Sequence, residues 1–135
     1  MSLEAPEPKI AARDREPARF GRSAEAFVLL VLARGRSYGY EIRKRLEDLG
    51  YARVASDPGA LYRLLRDLEA AGVIESEWDV SGTGPARRYY SLTDAGLNQL
   101  RRGAKHLAAM RRRVDLFFES YESLGLDTAK ELVLA

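Results

Sequence analysis

Apolar side chains recur every seventh residue at Leu100, Leu107, Val114 and Tyr121. Ala104 and Phe118 fall four residues beyond the first and third of these, and Met110, Phe117 and Leu124 widen the stripe. A heptad over residues 94–124 is a helix of roughly 45 Å, with one apolar seam. The chain has 135 residues, which suits one compact domain with an arm or helix attached. A domain of that size cannot cover so long a helix. The seam therefore requires a partner, and a second copy of the chain is the simplest one; folding back onto its own domain is the alternative. Thr93 can cap this helix and Asp94 suits its positive end. Arg111, Arg112 and Arg113 read as a solvated face. After Gly125, residues 127–134 read as a short terminal helix.

The rest of the chain divides by period. Residues 1–22 carry three of the five prolines, five basic and four acidic residues, and no periodicity, which is the pattern of a mobile arm. From Ser23, a candidate cap, the run Ala26 to Ala33 is apolar on nearly every face. A helix of that kind is buried on most sides, and with Phe27 and Leu30 it suggests a subunit interface as well as a core. Ser37 is a second candidate cap, before a helix from Tyr38 to Leu49 with Ile42, Leu46 and Leu49 on one stripe. Asp57 before Pro58 is the clearest helix start in the chain. Leu61, Leu64, Leu65 and Leu68 then form one face, Gly59, Tyr62, Arg63 and Arg66 the other, and Gly72 ends the helix. The period then falls to two. Ile74, Ser76, Trp78 and Val80 alternate with Glu75, Glu77 and Asp79, and a Gly-rich turn leads into a second strand, residues 87–92. That is a β-hairpin with a long tip, with Trp78 expected to pack beneath it rather than to serve as a ligand platform.

Composition removes several classes of function. With no cysteine and one histidine, His106, thiolate metal sites, disulfides and two-histidine mechanisms are excluded. The composition suits a reducing cytosol. No metal ligand set and no cofactor is implied. There is no nucleophile elbow and no paired carboxylate on a Gly-rich loop, so no catalytic residue is assigned. The longest apolar run, Ala26 to Ala33, is well short of the roughly 20 residues of a membrane span. It lies behind a mixed-charge segment, unlike a secretory signal.

Three helices, a hairpin and a long helix, in that order, are the plan of a winged helix-turn-helix: mainly α, with a small β-hairpin and a long C-terminal dimerisation helix. The domains are an arm over 1–22, a DNA-binding domain over 23–93 and a dimerisation helix and tail over 94–135. The helix that Asp57 opens has what a recognition helix needs. One face docks, and Tyr62, Arg63 and Arg66 on the other can reach base edges or phosphates of double-stranded DNA. Gly59 permits close backbone approach at a helix N-terminus that favours an anion. Thr83 at the wing tip, with Arg87 and Arg88 of opposite facing beyond it, suits a phosphate backbone. Arg63 and Arg66 could equally solvate an exposed helix face beside Asp67 and Glu69, and Arg87 and Arg88 could be plain strand-edge charges. The net charge is only +2. Residues 23–93 hold ten basic and ten acidic side chains, so placement matters more than total charge. Non-specific DNA affinity should accordingly be modest.

Four segments also resemble the PadR family of bacterial transcriptional regulators: Tyr38-Gly39-Tyr40-Glu41-Ile42, Gly59-Ala60-Leu61-Tyr62-Arg63-Leu64-Leu65, Leu68-Glu69-Ala70-Ala71-Gly72-Val73-Ile74, and the stretch from Gly84 to Gly96. The brevity of the C-terminal region resembles the compact subgroup. Residues 75–88 and 117–121 resemble the poly-β-hydroxybutyrate-responsive repressors. The resemblance implies a homodimer joined through its first and last helices. It implies repression at a palindromic operator, relieved by a small-molecule effector or other signal. It also implies DNA contacts at Ser37 and Tyr38, at Gly59, Tyr62, Arg63 and Arg66, and at Thr83, Arg87 and Arg88. Some compact relatives hold planar ligands between tryptophans on the long helix; this helix has none. Phe117, Phe118 and Tyr121 then read as dimer core. The competing reading is a winged helix that binds another protein or a polymer granule rather than DNA.

Overall fold

A computed structural model describes residues 21–51 and 55–135. The expected N-terminal arm lies outside the described residues, except that Gly21 and Arg22 already belong to the first helix. The helices are α1 (Gly21–Ala33), α2 (Gly39–Asp48), α3 (Pro58–Ala70), α4 (Asp94–Glu122) and α5 (Ala129–Leu134). The strands are β1 (Ser37–Tyr38), β2 (Ile74–Asp79) and β3 (Arg87–Leu92), in an antiparallel sheet of order β1-β3-β2. The fold is a winged helix with a long C-terminal helix. No helix among the described residues is long and apolar enough to cross a membrane.

The core is built from the faces that the spacing marked. Val28, Leu29, Val31 and Leu32 of α1 meet Ile42 and Leu46 of α2, Leu61, Leu65 and Leu68 of α3, and Ile74 and Tyr90 of the sheet. Leu30 alone of the leucines in α1 is exposed. Asp57 caps α3, its Oδ1 accepting from the Ala60 amide at 3.2 Å, with Pro58 in the first turn. Past α3, Gly72 turns with a φ of +79°, in the left-handed region open to glycine. Thr93 caps α4 by accepting from the Gly96 amide at 3.0 Å, and its hydroxyl donates to the Gly72 carbonyl at 2.8 Å. One hydroxyl thus fixes where the sheet ends and the long helix begins.

Three local expectations are corrected. Helix α1 starts at Gly21, so Ser23 lies within it, and the Ser23 hydroxyl shares a 2.6 Å hydrogen bond with the Tyr51 phenol rather than capping. Ser37 does not cap α2 either. It is fully buried in β1, where its hydroxyl donates to the Gly35 carbonyl and accepts from Arg45. Tyr38 is extended, at the N-cap position, and its amide donates to Glu41. The hairpin gains a third strand because Ser37 and Tyr38 pair with Tyr90 and Tyr89. Two residues are too few to show a period.

The chain divides into two compact units, one ending at Gly103 and one running from Ala104 to Ala135. The division falls inside α4 because the start of that helix belongs to the winged-helix core. Leu100 packs against the core cluster. A side chain on Gly96 would run into the Val73 carbonyl and the Leu92 side chain, and one on Gly103 would come within 3.0 Å of the Ala26 side chain.

In the second unit the apolar residues of α4 are largely uncovered. Val114 is 47% and Phe117 59% exposed, and Leu124, Leu126 and Val133 stand out further. Phe117, Phe118 and Tyr121 form an aromatic cluster with ring centroids 5.1 to 6.2 Å apart. The Tyr121 phenol donates to Asp127 at 2.9 Å, and this bond to a carboxylate raises its pKa. Thr128 caps α5 in a reciprocal pair with Glu131.

Candidate nucleic-acid interface

The apolar face of α3 is consumed by the core, so its other face is set by default. Tyr62, Arg63 and Arg66 are exposed there, and Gly59 is open to solvent in the first turn. Tyr62 is held from behind by Gly39 of α2. A Cβ on Gly39 would strike the Tyr62 hydroxyl and lie 2.8 Å from its ring carbon Cζ. The helix-turn-helix pair thus closes through a glycine that lets a phenol lie across it. Spacing alone did not reveal Gly39 as a functional position. The signal was the pair of tyrosines around it in Tyr38-Gly39-Tyr40. Arg43 also braces the approach to α3, donating from Nε to the buried Ala55 carbonyl at 3.1 Å.

The sheet sorts the wing's charges onto two faces. The register pairs Glu77 with Tyr89 and Asp79 with Arg87 on one face, and Ser76 with Tyr90 and Trp78 with Arg88 on the other. Arg87 and Arg88 therefore face opposite ways, as their adjacency predicts. Arg87 lies 4.6 Å from the Tyr38 ring centroid, and Tyr38 packs edge-on against Tyr89 at 5.4 Å. Arg36, which the sequence did not single out, covers the same layer. It sits 4.2 Å from the Tyr89 centroid and pairs with Asp79 at 3.4 Å and Glu77 at 3.7 Å. Asp79 also accepts from the Ser81 hydroxyl at 2.6 Å and the Ser81 amide at 2.9 Å. These Ser81 bonds, with a smaller contribution from Arg36, lower its pKa. The tip beyond them, with Gly82, Thr83, Gly84 and Pro85, rims an open hollow of about 380 Å³.

On the opposite face the wing is tied to α3. Glu69 accepts from the Ser76 hydroxyl at 2.7 Å and from Arg88 at 3.3 Å, and Arg88 Nε donates to Ser76 Oγ at 2.9 Å. Tyr90 lies beneath this triangle, and burial raises its phenol above the ordinary value. Glu69 and Tyr62 push it the same way, while Arg88 and Arg66 oppose. Trp78 departs from expectation. It is not packed beneath the wing but is 62% exposed, because Ile74 and Tyr90 already close the core on that side.

The predicted positions thus fall into groups. Tyr62, Arg63, Arg66 and Gly59 share the outer side of α3. Thr83, Arg87 and Arg88 are exposed on the wing. Tyr38 is half-buried between them, stacked with Arg87. Ser37 is buried, and its hydroxyl is occupied, so its side chain offers nothing to an outside ligand. Among the predicted interface residues, Phe27 packs on Tyr51 at 4.7 Å within the domain and Leu100 joins the core. Leu30, Val114 and Phe117 are exposed, and Leu107, Phe118 and Tyr121 are half-buried.

Residues 28–102 match the model of the PadR-like family of transcriptional regulators. The chain belongs to the PadR-like family. A PadR-like transcriptional regulator of Bacillus cereus is 30% identical with a TM-score of 0.62, over 70% of this chain and 89% of that one. A conserved protein described as a potential transcriptional factor is 32% identical with a TM-score of 0.62, over 74% and 88% of the two chains. An uncharacterised protein of Lysinibacillus sphaericus is 28% identical over 73% of this chain and 90% of its own length. This PadR-like protein is a DNA-binding transcriptional regulator, a class that is not enzymatic.

Proposed function

We propose that this PadR-like regulator is a cytoplasmic homodimeric repressor of the compact subgroup. It binds a palindromic operator and is released by a small-molecule or other signal. Residues 23–93 form the DNA-binding domain and 94–135 the dimerisation region. Helix α3 enters the major groove with Tyr62, Arg63 and Arg66, and Gly59 lets its N-terminus approach a phosphate. Thr83, Arg87 and Arg88 meet the backbone beside the groove, and Tyr38 supports Arg87. Ser37 supports β1 from within. Leu30 of α1 and the α4 seam, with Leu107, Val114, Phe117, Phe118 and Tyr121, join two copies; Phe27 and Leu100 back that interface from the core side. The sequence resemblance makes poly-β-hydroxybutyrate the first signal to try.

The observation that carries this reading is the division of α3. Leu61, Leu65 and Leu68 are buried on one side, and Tyr62, Arg63 and Arg66 are free to solvent on the other. Selection of bound duplexes from a random pool, at two salt concentrations, tests it. A palindromic consensus should emerge, with affinity falling as salt rises. Arg63→Ala and Arg66→Ala should each cost about 1–3 kcal/mol of binding while the dimer persists. Affinity indifferent to salt and to both substitutions would refute the reading. A dimer that binds no duplex but captures a protein or polymer granule would favour the interaction-module reading.

A further inference from the structure

Trp78 stands at the far end of a strip that alternates arginine with aromatic rings. The Tyr90 phenol feels the charge of Arg88 and, more weakly, of Tyr62 and Arg66 on α3. The Arg88 guanidinium lies 5.9 Å from the Tyr90 ring centroid and 5.8 Å from that of Trp78. Arg66, Tyr90, Arg88 and Trp78 therefore lead from the recognition helix onto the wing along one face of the sheet. The strand period keeps the carboxylates of Glu75, Glu77 and Asp79 on the opposite face. Glu69 of α3 enters this face, where it is engaged with Ser76 and Arg88. Arg88 uses Nε on Ser76 and Nη2 on Glu69, which leaves Nη1, among the described residues, for an outside acceptor. An indole 62% exposed in such a setting has an apolar face uncovered and a cation at its side.

We infer that Trp78 is a DNA-contacting residue of the wing, its indole lying against the deoxyribose of a backbone whose phosphate Arg88 engages. Duplex DNA is the occupant that fits because its backbone alternates the two chemistries present here: an apolar sugar face for the ring, and an anion for the guanidinium beside it. The contact extends the footprint from the groove read by α3 to the flanking backbone. It rests on the DNA-binding reading above.

Trp78 is the chain's one tryptophan, so its fluorescence reports this contact directly. The full-length protein would be titrated with the selected duplex, labelled so that its anisotropy reports binding independently. Acrylamide should quench the free protein efficiently. Saturating duplex should lower the quenching constant at least about two-fold, with the midpoint of the anisotropy curve. Trp78→Ala should weaken binding by roughly ten-fold and Trp78→Phe by much less, since a flat apolar ring is retained. Anisotropy showing binding while quenching stays unchanged would overturn the inference and leave the DNA-binding reading standing. An indole already shielded in the free protein would overturn it as well. A duplex that fails to bind at all would overturn both. The wild-type quenching needs no variant, so a poorly folding Trp78→Ala would not spare the inference.

Discussion

In the unit that ends at Gly103, Leu29, Ile42, Leu46, Leu61 and Leu65 are shut away from solvent. From Ala104 onward, Val114, Phe117 and Leu124 stand open to it although they belong to an equally regular pattern. The two patterns look alike in the sequence. They differ in what covers them. The core faces of the winged helix meet other faces of the same chain, so its core closes within one copy and leaves Leu30 of α1 exposed beside it. The α4 seam has only the short α5 and its turn beside it in its own unit, so its apolar surface remains to be covered. Periodicity therefore reports which side of an element is sticky and leaves open whether the chain itself supplies the cover.

The largest expected effect lies in the closed core. Leu65→Ala should cost about 2–5 kcal/mol of unfolding free energy, measured by denaturant titration, because the site is fully packed. Val114→Ala, in the open unit, should leave the unfolding of the winged helix nearly untouched when monomers are compared. Equal losses at both positions would erase the distinction between the units.

Next in size, Phe117→Glu should raise the dimer dissociation constant by at least about thirty-fold, as loss of an aromatic anchor does. Sedimentation equilibrium would read it, and slow amide exchange in α3 should persist. Gly96→Ala sharpens the boundary inside α4. A methyl there meets the Val73 carbonyl, a backbone atom that cannot step aside. A loss of about 1–3 kcal/mol of stability is expected. No loss would place the start of α4 outside the core.

The smallest effect is at the wing. The fold holds the Asp79 carboxyl below its ordinary 3.8, chiefly through Ser81. A lowered pKa means the bond is present at and above that pH and is lost as the pH falls through the folded value. The Ser81 amide resonance should therefore shift with a midpoint below about pH 3.8. A shift centred above that value would show that the carboxyl is not so held.

What was legible followed from locality. Asp57 and Pro58 act within one turn of α3, and Thr93 within one turn of α4, so caps and starts could be read directly. The opposite facing of Arg87 and Arg88 follows from strand geometry alone. What was not legible depends on partners far along the chain. Ser23 reads as a cap until Tyr51 takes its hydroxyl, and Ser37 until Arg45 and Gly35 take its own. Arg36 is anonymous in the sequence, and its place on Tyr89 and Asp79 exists only once β1 joins the sheet. Trp78 lies on the predicted face, but alternation does not say how far the cover reaches, and it ends before Trp78.

The central claim is that one copy completes the winged helix and two copies complete the regulator. The mass of the complex with a selected palindromic duplex, measured by sedimentation, tests it most directly. Two chains per duplex across the titration, with no stable intermediate of one chain, is the expected result. A stable complex of one chain per duplex, or a dimer that forms no complex at low salt, would contradict it.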